Sequence, residues 1–219
     1  MKPKRIILIR HGESEGNIDR AVYGKKPDYA FLLTEKGQEQ ALNAGERLRS
    51  LVGDETLQFY VSPLFRTQTF RQIIKSFPAS QYLWREEPRL REQEWGRLRS
   101  LEQCREVCEL RDAYGTFYFR IPHGESAGDV YDRVSDFFHT LFRDFAKPNF
   151  PQNAVMITHG MTIRLFLMRW FHYPVTEFEQ LCNPPNCDIV VMELQDDGKY
   201  KLVTELKKRQ PAHGWQLET

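Results

Sequence analysis

Apolar residues alternate along the chain between short continuous runs and stripes with helical spacing. This alternation predicts a domain in which strands and helices follow one another. The four runs of strand length are residues 6–9, 57–61, 81–84 and 154–158. A fifth and a sixth strand, predicted over 187–194 and 200–206, flank the hairpin signal Asp197-Gly198. The pattern therefore predicts an α/β domain.

Helical stripes lie between these runs and in one long excursion. The stripes that follow the first, second and fourth strands cover residues 41–52, 70–77 and 161–171. Between the third and fourth strands the chain makes a mostly helical insertion, with helices predicted over 100–114 and 130–145. Ser126-x-x-Asp129 opens the second of these helices in the manner of a capping box. Because no interior linker or domain-sized repeat interrupts the pattern, we predict one domain over residues 1–206 and a loose tail over 207–219.

Composition narrows the class of protein. The chain has 219 residues, of which 41% are hydrophobic, and its 31 basic and 30 acidic residues give a net charge of +1. A nucleic-acid-binding protein normally has a basic excess, and a disordered chain is charged and weakly hydrophobic, so neither class is expected. The basic residues are 20 arginines and 11 lysines, and the arginine excess favours a planar anion such as phosphate or carboxylate as the ligand.

The cysteines and the N-terminus indicate in which cellular compartment the protein is expected. Cys104, Cys108, Cys182 and Cys187 are too few for a disulfide framework, and their spacings lack the C-x₂-C pattern of zinc sites. The first apolar run is too short for a signal peptide, and no stretch approaches the roughly eighteen apolar residues of a membrane span. We therefore expect reduced thiols in a cytoplasmic protein that has no membrane partner.

Reactive side chains follow each of the first four predicted strands. Arg10-His11 follows the first strand, Arg66 the second, Glu92 the third and His159 the fourth. Because the carboxyl ends of parallel strands meet at one edge of a sheet, these side chains are expected to form a single site.

This set of residues suits phosphoryl transfer through a phosphohistidine. A neutral imidazole nitrogen can attack phosphorus, while arginine forks and a second imidazole stabilise the charge on the phosphoryl oxygens. A carboxylic acid can protonate the leaving oxygen and then, as a carboxylate, activate water. The cations and imidazoles supply the charge that a metal ion would otherwise provide, so neither a metal nor another cofactor is expected. If Glu92 starts the reaction protonated, the pH optimum should lie on the acid side.

The segments around these residues resemble the histidine phosphatase superfamily, the phosphoglycerate-mutase-like proteins. The matching motifs are Arg10-His11-Gly12-Glu13-Ser14-x-x-Asn17, Ser62 with Arg66, Thr67 and Thr69, Leu90-x-Glu92-x-x-x-Gly96, and Thr158-His159-Gly160. Together they cover the chain from about Lys4 to Leu206 in the family's order. The middle of the chain is similar to the small plant and fungal phosphoglycerate-mutase-like acid phosphatases, over segments 91–96, 118–122, 124–126 and 130–134. The resemblance implies a three-layer α/β/α sandwich around a mostly parallel sheet, with the helical insertion between the third and fourth strands.

The resemblance also implies a role for each matching residue. His11 would be the phosphorylated nucleophile and Glu92 the proton donor. The side chains that would form the phosphate pocket are Arg10, Arg66 and His159. Asn17 and the backbone amide of Gly160 would add hydrogen bonds to the phosphate. Tyr23 and Gly24 lie where the family has its substrate loop.

The chain departs from the family in two places. Cofactor-dependent mutases carry a basic segment after the acid, which grips the carboxylate and the second phosphate of the substrate. Here residues 117–122 contain a single arginine, Arg120, which argues against mutase activity. The glycine that often follows four residues after Gly96 is replaced by Ser100, so the turn after the acid is expected to differ.

Three assignments stay open at this point. Glu94 is an alternative to Glu92 as the acid, and only the family motif favours Glu92. The segment 123–126 repeats the letters His-Gly-Glu-Ser without a preceding buried strand or arginine, so a structural role is favoured. A further set of arginines either belongs to a solvated loop or, for one or two of its members, binds a second anionic group of the substrate. That set is Arg89, Arg91, Arg97 and Arg99.

The sequence therefore predicts a metal-independent phosphomonoesterase that acts on a small phosphate monoester. A phosphoglycerate-type mutase is the first alternative, and it would need a second anion site. A non-catalytic phospho-recognition module is the second alternative, which the complete set of reactive residues disfavours. The identity of the substrate and the oligomeric state are left open.

Overall fold

The structure, a computed structural model, describes residues 2–98 and 100–209, and within them a six-stranded sheet and seven α-helices. The strands are β1 (Arg5–Arg10), β2 (Leu57–Val61), β3 (Tyr82–Glu86), β4 (Asn153–Thr158), β5 (Ile189–Leu194) and β6 (Tyr200–Leu202). The helices are α1 (Glu15–Ile18), α2 (Glu35–Val52), α3 (Thr69–Ile73), α4 (Leu101–Tyr114), α5 (Ala127–Phe145), α6 (Gly160–Phe171) and α7 (Val175–Gln180). Short 3₁₀ segments, among them Arg20–Gly24 and Asp28–Ala30, connect several of these elements.

The sheet is mostly parallel, with the strand order β3-β2-β4-β1-β5-β6. The first four strands run parallel to one another, while β5 is antiparallel to β1 and β6 antiparallel to β5. The α/β class and the mostly parallel sheet are thereby confirmed. The pairing places β4 between β1 and β2, so the carboxyl ends of these three strands lie side by side.

Alternating side chains of the central strands pack against different helical layers. Ile6 and Leu8 belong to the core formed with α5 and α6, whereas Ile7 and Ile9 belong to the core formed with α2 and α3. Successive strand residues point to opposite faces, so a continuous apolar run is what a strand covered on both faces requires. The three-layer α/β/α arrangement is confirmed.

The predicted helix over residues 70–77 is wrong in its extent. The structure has a 3₁₀ segment over Phe65–Gln68, the short helix α3, and a second 3₁₀ segment over Ile74–Ser76. A helix cannot continue through Phe77, because the following Pro78 favours an extended backbone there, with a φ of −129° and a ψ of 139°.

The last predicted strand is shorter than residues 200–206. Ladder pairing with β5 ends at Leu202, because the next donor on β5, the Val191 amide, bonds to the Thr204 hydroxyl. Two residues of the predicted tail, Lys207 and Arg209, are hydrogen-bonded to Cys182 and to Gln180 at the end of α7. Residues 210–219 lie outside the described residues, and the domain boundary at 206 stays a prediction.

The helical insertion forms an outer wall of the molecule. Its first helix, α4, packs through a small separate cluster of Leu98, Cys104, Val107 and Ile121. Ser100 occupies the N-cap of α4 and accepts a hydrogen bond from the Gln103 amide, which explains why a serine stands at this turn. All four cysteines are free thiols. Within residues 2–98 and 100–209, no helix is both long enough and apolar enough to span a membrane.

Candidate active site

The ends of β1, β4 and β2 bring the predicted site residues together. Arg10 pairs with Thr158 at the last register position of β1 and β4, and the His11 amide donates to the Thr158 carbonyl. The next residues, His11 and His159, therefore leave the sheet beside each other. Their ring centroids lie 5.1 Å apart.

The His11 imidazole is held with one nitrogen free for attack. Its Nδ1 lies 2.7 Å from the Gly12 carbonyl oxygen, which can only accept, so Nδ1 carries the proton and Nε2 keeps its lone pair. Only 4% of His11 is exposed. Burial, followed by the neighbouring cations Arg66 and Arg10, holds the pKa of His11 well below its usual value. The ring is therefore neutral, the form that a nucleophile requires.

His159 is neutral for the same reasons but has the opposite tautomer. Arg66 Nε donates to His159 Nδ1 at 3.3 Å, and an arginine has no acceptor, so the proton of the ring is on Nε2. That Nε2 donates to the Ser62 hydroxyl at 2.7 Å. Burial and the nearby Arg66 lower the pKa of His159 far below 6.5. The single N–H of neutral His159 thus has the Ser62 hydroxyl as its acceptor, and the ring lies beside that of His11.

The Arg66 guanidinium is clamped by Asp28. Its Nη1 donates to the Asp28 backbone and side-chain oxygens at 2.8 and 3.1 Å, and its Nη2 donates to the other carboxylate oxygen at 3.0 Å. With the bond to His159, four of its five N–H groups are used, so one Nη2 hydrogen is left for a ligand. Sequence reasoning missed Asp28, because nothing in its local pattern links it to Arg66.

Arg10 keeps donors for an anion. Its Nη1 donates to the Pro184 carbonyl at 2.7 Å, and its Nε is buried without a partner. Burial lowers the pKa of Arg10, and Glu92 partly offsets this effect. A buried N–H without a partner costs free energy until a ligand satisfies it, so the site favours an anion next to Arg10.

Glu92 lies at the start of α6, next to His159. One carboxylate oxygen accepts from the Met161 amide at 3.3 Å and the other from the Gln93 amide at 3.0 Å. These contacts hold the carboxylate at the N-terminus of α6, where its charge acts on Arg10. The structure thus brings His11, His159, Arg10, Arg66 and Glu92 to one edge of the sheet.

Glu94 lies farther out. It is exposed, accepts from the Gly96 amide at 3.2 Å, and lines an outer cavity of about 1320 Å³ together with Gly24 and Asp28. Partial burial of its carboxylate, followed by the nearby charge of Asp28, raises the pKa of Glu94. Of the two candidate acids, Glu92 is the one that contacts the helix beginning next to His159.

Comparisons with known proteins agree with this geometry. The family model described as the histidine phosphatase superfamily (branch 1) matches residues 6–206. The chain is 44% identical to the phosphoglycerate mutase-like protein AT74H of Arabidopsis thaliana, over 91% of this chain and 77% of that protein. It is 30% identical to the broad-range acid phosphatase DET1 of Saccharomyces cerevisiae, over 97% of this chain and 92% of that one. A mycobacterial glucosyl-3-phosphoglycerate phosphatase superposes with a TM-score of 0.72 at 21% identity, over 94% of this chain and all of its own.

The chain belongs to the histidine phosphatase superfamily. The predictions of the family and of an enzyme in its phosphatase class are thereby confirmed.

The remaining predicted residues of this histidine phosphatase lie around the reactive pair. Asn17 accepts from the Ser14 amide and hydroxyl through its Oδ1, so its side-chain amide faces away from that turn. Gly160 begins α6, and a Cβ there would lie 2.7 Å from the Asn183 side chain. Tyr23 lines both the outer cavity and a smaller cavity that also contains Asn17.

Two of the four arginines at positions 89, 91, 97 and 99 are engaged in ion pairs. Arg89 pairs with Glu87 and Asp136, and Arg91 pairs with Glu125, each at 2.7 to 2.8 Å. Arg97 is exposed and lines the outer cavity, whereas Arg99 lies outside the described residues.

Proposed function

We propose that the protein is a metal-independent phosphomonoesterase that hydrolyses small phosphorylated metabolites through a phosphohistidine at His11. The bond from His11 Nδ1 to the Gly12 carbonyl carries this proposal, because it leaves Nε2 as a neutral nucleophile. Arg10 and Arg66 support it as fixed donors for the phosphoryl oxygens, in place of a metal ion. The acid phosphatase activity in the name of a relative also supports a hydrolase.

The proposed reaction has two steps. First, His11 Nε2 bonds to phosphorus while the ester P–O bond breaks, and protonated Glu92 gives its proton to the leaving oxygen. Second, the Glu92 carboxylate takes a proton from water, the water oxygen bonds to phosphorus, and the N–P bond breaks. Inorganic phosphate leaves, and His11 and protonated Glu92 are restored. Arg10 and Arg66 donate to the phosphoryl oxygens in both steps, and the His159 Nε2–H joins them by exchanging its Ser62 acceptor for a phosphoryl oxygen.

Trapping of the intermediate tests this mechanism. Rapid quenching after incubation with a labelled phosphomonoester should give a protein-bound label that is labile to acid and stable to base. His11→Ala should abolish the label, whereas His139→Ala, which alters an exposed histidine of α5, should keep it. Label or full turnover in His11→Ala would refute the role of His11. Strong inhibition by EDTA would contradict metal independence.

The mutase alternative has a separate test. Arg120, the one arginine in the segment that is basic in mutases, pairs with Asp129 at 2.7 Å and is 61% exposed. We expect 3-phosphoglycerate to yield inorganic phosphate rather than 2-phosphoglycerate, with or without bisphosphoglycerate. Rapid isomerisation that depends on the bisphosphate would favour the mutase instead.

A further inference from the structure

The segment that carries Glu92 has no regular secondary structure. Residues 91–98 belong to neither a helix nor a strand, so no helical turn or sheet ladder fixes the position of the Glu92 side chain. A proton donor must lie within hydrogen-bond reach of the leaving oxygen, and a displacement of about 1 Å can cost on the order of 100-fold in rate. The groups that hold this segment in place therefore determine how well Glu92 can act as an acid.

Side chains of β4 and α6 hold the two residues that precede Glu92. The Thr158 hydroxyl donates to the Leu90 carbonyl at 2.7 Å, and the Thr162 hydroxyl donates to the Arg91 carbonyl at 2.9 Å. Buried carbonyl groups need a donor, and in this segment side chains take the place of a backbone partner. The approach to the acid is thereby tied to the strand and the helix on either side of the second reactive histidine.

Arg133 of α5 makes more of these bonds than either threonine. Its Nη1 donates to the carbonyls of residues 89 and 91 at 2.7 and 2.8 Å, and its Nη2 donates to the Glu92 carbonyl at 3.1 Å. Its Nε and the second hydrogen of Nη2 donate to the Glu125 carboxylate at 3.0 and 2.9 Å. All five N–H groups are thus used, and only 10% of the side chain is exposed. Arg133 therefore has no donor left for a substrate, and its bonds fix the backbone at Glu92.

Glu125 holds the residues that follow the acid. Its carboxylate also accepts from the Glu94 amide at 3.0 Å and from Arg91 Nη2 at 2.8 Å. Its backbone carbonyl accepts from the Gln93 side chain at 2.8 Å, and its backbone amide donates to the Glu94 carbonyl at 2.9 Å. Burial acts to raise the pKa of Glu125, but the bonds from Arg133 outweigh it and hold this pKa below its usual value. Glu125 is therefore a charged, buried partner for the guanidinium.

We propose that Arg133 and Glu125 are positioning residues, which hold the Glu92 carboxyl where it can protonate the leaving oxygen. This role rests on the acid function proposed for Glu92. The second His-Gly-Glu-Ser segment thus serves the active site through its glutamate, not through its histidine. Loss of the Arg133 bonds should impair the two proton transfers of Glu92 and leave the attack of His11 on phosphorus intact.

Two substrates that differ in their leaving group test this role. The alkoxide that leaves glycerol 3-phosphate needs a proton, whereas 2,4-dinitrophenolate leaves its phosphate ester as a stable anion. Because kcat/KM covers the steps up to release of the leaving group, it should depend on Glu92 for the first substrate only. In the reference variant Glu92→Gln, kcat/KM should fall by about 10²- to 10⁴-fold for glycerol 3-phosphate and by less than about threefold for the dinitrophenyl ester.

Arg133→Gln should show the same pattern with a smaller size. We expect kcat/KM to fall by about 10- to 100-fold for glycerol 3-phosphate and by less than about threefold for the dinitrophenyl ester. With the dinitrophenyl ester, kcat should fall, because activation of water in the second step also needs Glu92, and the first turnover should appear as a burst of dinitrophenolate. The matched control is Arg143→Gln, which alters an exposed arginine of the same helix and should match the wild type with both esters.

A double variant keeps the test valid if Arg133→Gln fails to fold. The single change leaves the buried Glu125 carboxylate without its main partner, which destabilises the protein. Adding Glu125→Gln removes that charge and still leaves the Glu92 carbonyl without the Arg133 donor. The double variant should therefore fold, as thermal unfolding will show, and should give the same dependence on the leaving group.

The possible outcomes separate the positioning role from the function of Glu92. If the Arg133 variants lower kcat/KM equally for both esters, Arg133 acts on the whole site, for instance through its charge near His159, and the positioning role is refuted. If these variants hydrolyse glycerol 3-phosphate as well as the wild type does, the positioning role is refuted while the acid function of Glu92 stands. If Glu92→Gln does not distinguish the two esters, or the wild type hydrolyses neither, the proposed function itself is refuted.

Discussion

The letters His-Gly-Glu-Ser occur twice in this chain, at residues 11–14 and 123–126, in two different settings. His11 follows a buried strand and is almost completely enclosed, with its Nδ1 bonded to a carbonyl. His123 is exposed in a turn, where its backbone has a φ of 60°. Sequence identity over four residues therefore does not make two equivalent sites. The preceding strand and the surrounding arginines determine which histidine is reactive.

The other three letters have similar structural roles in both copies. Gly12 and Gly124 each lie so close to another backbone that a Cβ would approach a carbonyl oxygen to 2.3 Å. The serine of each copy bonds to the side chain three residues later, and the glutamate of each copy forms an ion pair. The partners are Asn17 and Lys36 for the first copy, and Asp129, Arg91 and Arg133 for the second. The four letters therefore form a similar compact turn in both copies. Only the position of the first copy, after a buried strand and beside the arginines, makes its histidine reactive.

The largest expected difference between the copies is in turnover. His11→Ala should lower kcat for a phosphomonoester by at least about 10⁴-fold, since it removes the nucleophile. His123→Ala should retain at least a third of the wild-type kcat, because its ring is exposed. Steady-state assays of the wild type and both variants measure these changes in kcat. If kcat falls by a comparable factor in His123→Ala, the second copy takes part in catalysis.

The next difference is in the pH dependence of stability. The folded-state pKa values of His11 and His159 lie well below 6.5, so below about pH 6.5 the unfolded chain binds protons that the folded chain does not. Stability should be fully present above pH 6.5 and should fall as the pH drops below it, by up to about 1.4 kcal/mol per pH unit for each histidine. Urea unfolding at pH 7.5, 6.5 and 5.5 measures this slope.

Variants of His11 and His123 test whether the pH dependence of the free energy of unfolding arises at the first copy. His11→Asn should reduce the dependence to about half, since His159 then remains as the one buried imidazole of the pair. His123→Ala should keep the wild-type slope, because it leaves both buried imidazoles, His11 and His159, in place. An unchanged slope in His11→Asn would contradict the neutral, buried state of His11.

The smallest expected effect is shared by the two glycines. Gly12→Ala and Gly124→Ala should each destabilise the fold by roughly 1–3 kcal/mol, because the added methyl group meets a backbone carbonyl that cannot move freely. Gly128→Ala, four residues further on in α5, is the matched control. A Cβ there has ordinary contacts at 3.4 Å or more, so this variant should be neutral or slightly stabilising. Thermal unfolding gives the Tm of each of the three variants. If Gly124→Ala has the Tm of the wild type, the two turns differ in packing as well as in reactivity.

The strands were predicted more accurately than the segments that connect them. A run such as residues 6–9 can be recognised because a strand covered on both faces has four consecutive apolar side chains, whichever helices cover them. The predicted helix over 70–77 was wrong in its extent, because Pro78 holds the preceding Phe77 in an extended conformation and the chain tightens to a 3₁₀ turn over Ile74–Ser76. Hydrophobic periodicity indicates which residues are buried, and it does not show where a proline ends a helix.

By itself, the sequence determined which strand ends carry reactive side chains, and hence that Arg10, His11, Arg66, Glu92 and His159 share one edge of the sheet. Parallel pairing imposes this convergence on any residues that directly follow the strands. Only the tertiary structure decided the tautomers of the two histidines, the clamp of Asp28 on Arg66, and the bonds from Arg133 to the segment that carries Glu92. The contact of His11 is to the next residue, but its geometry depends on how the chain turns after β1. The contacts of Arg66 with His159 and Asp28 join segments that are far apart in the chain and share no periodic pattern, so they exist only once the layers have packed.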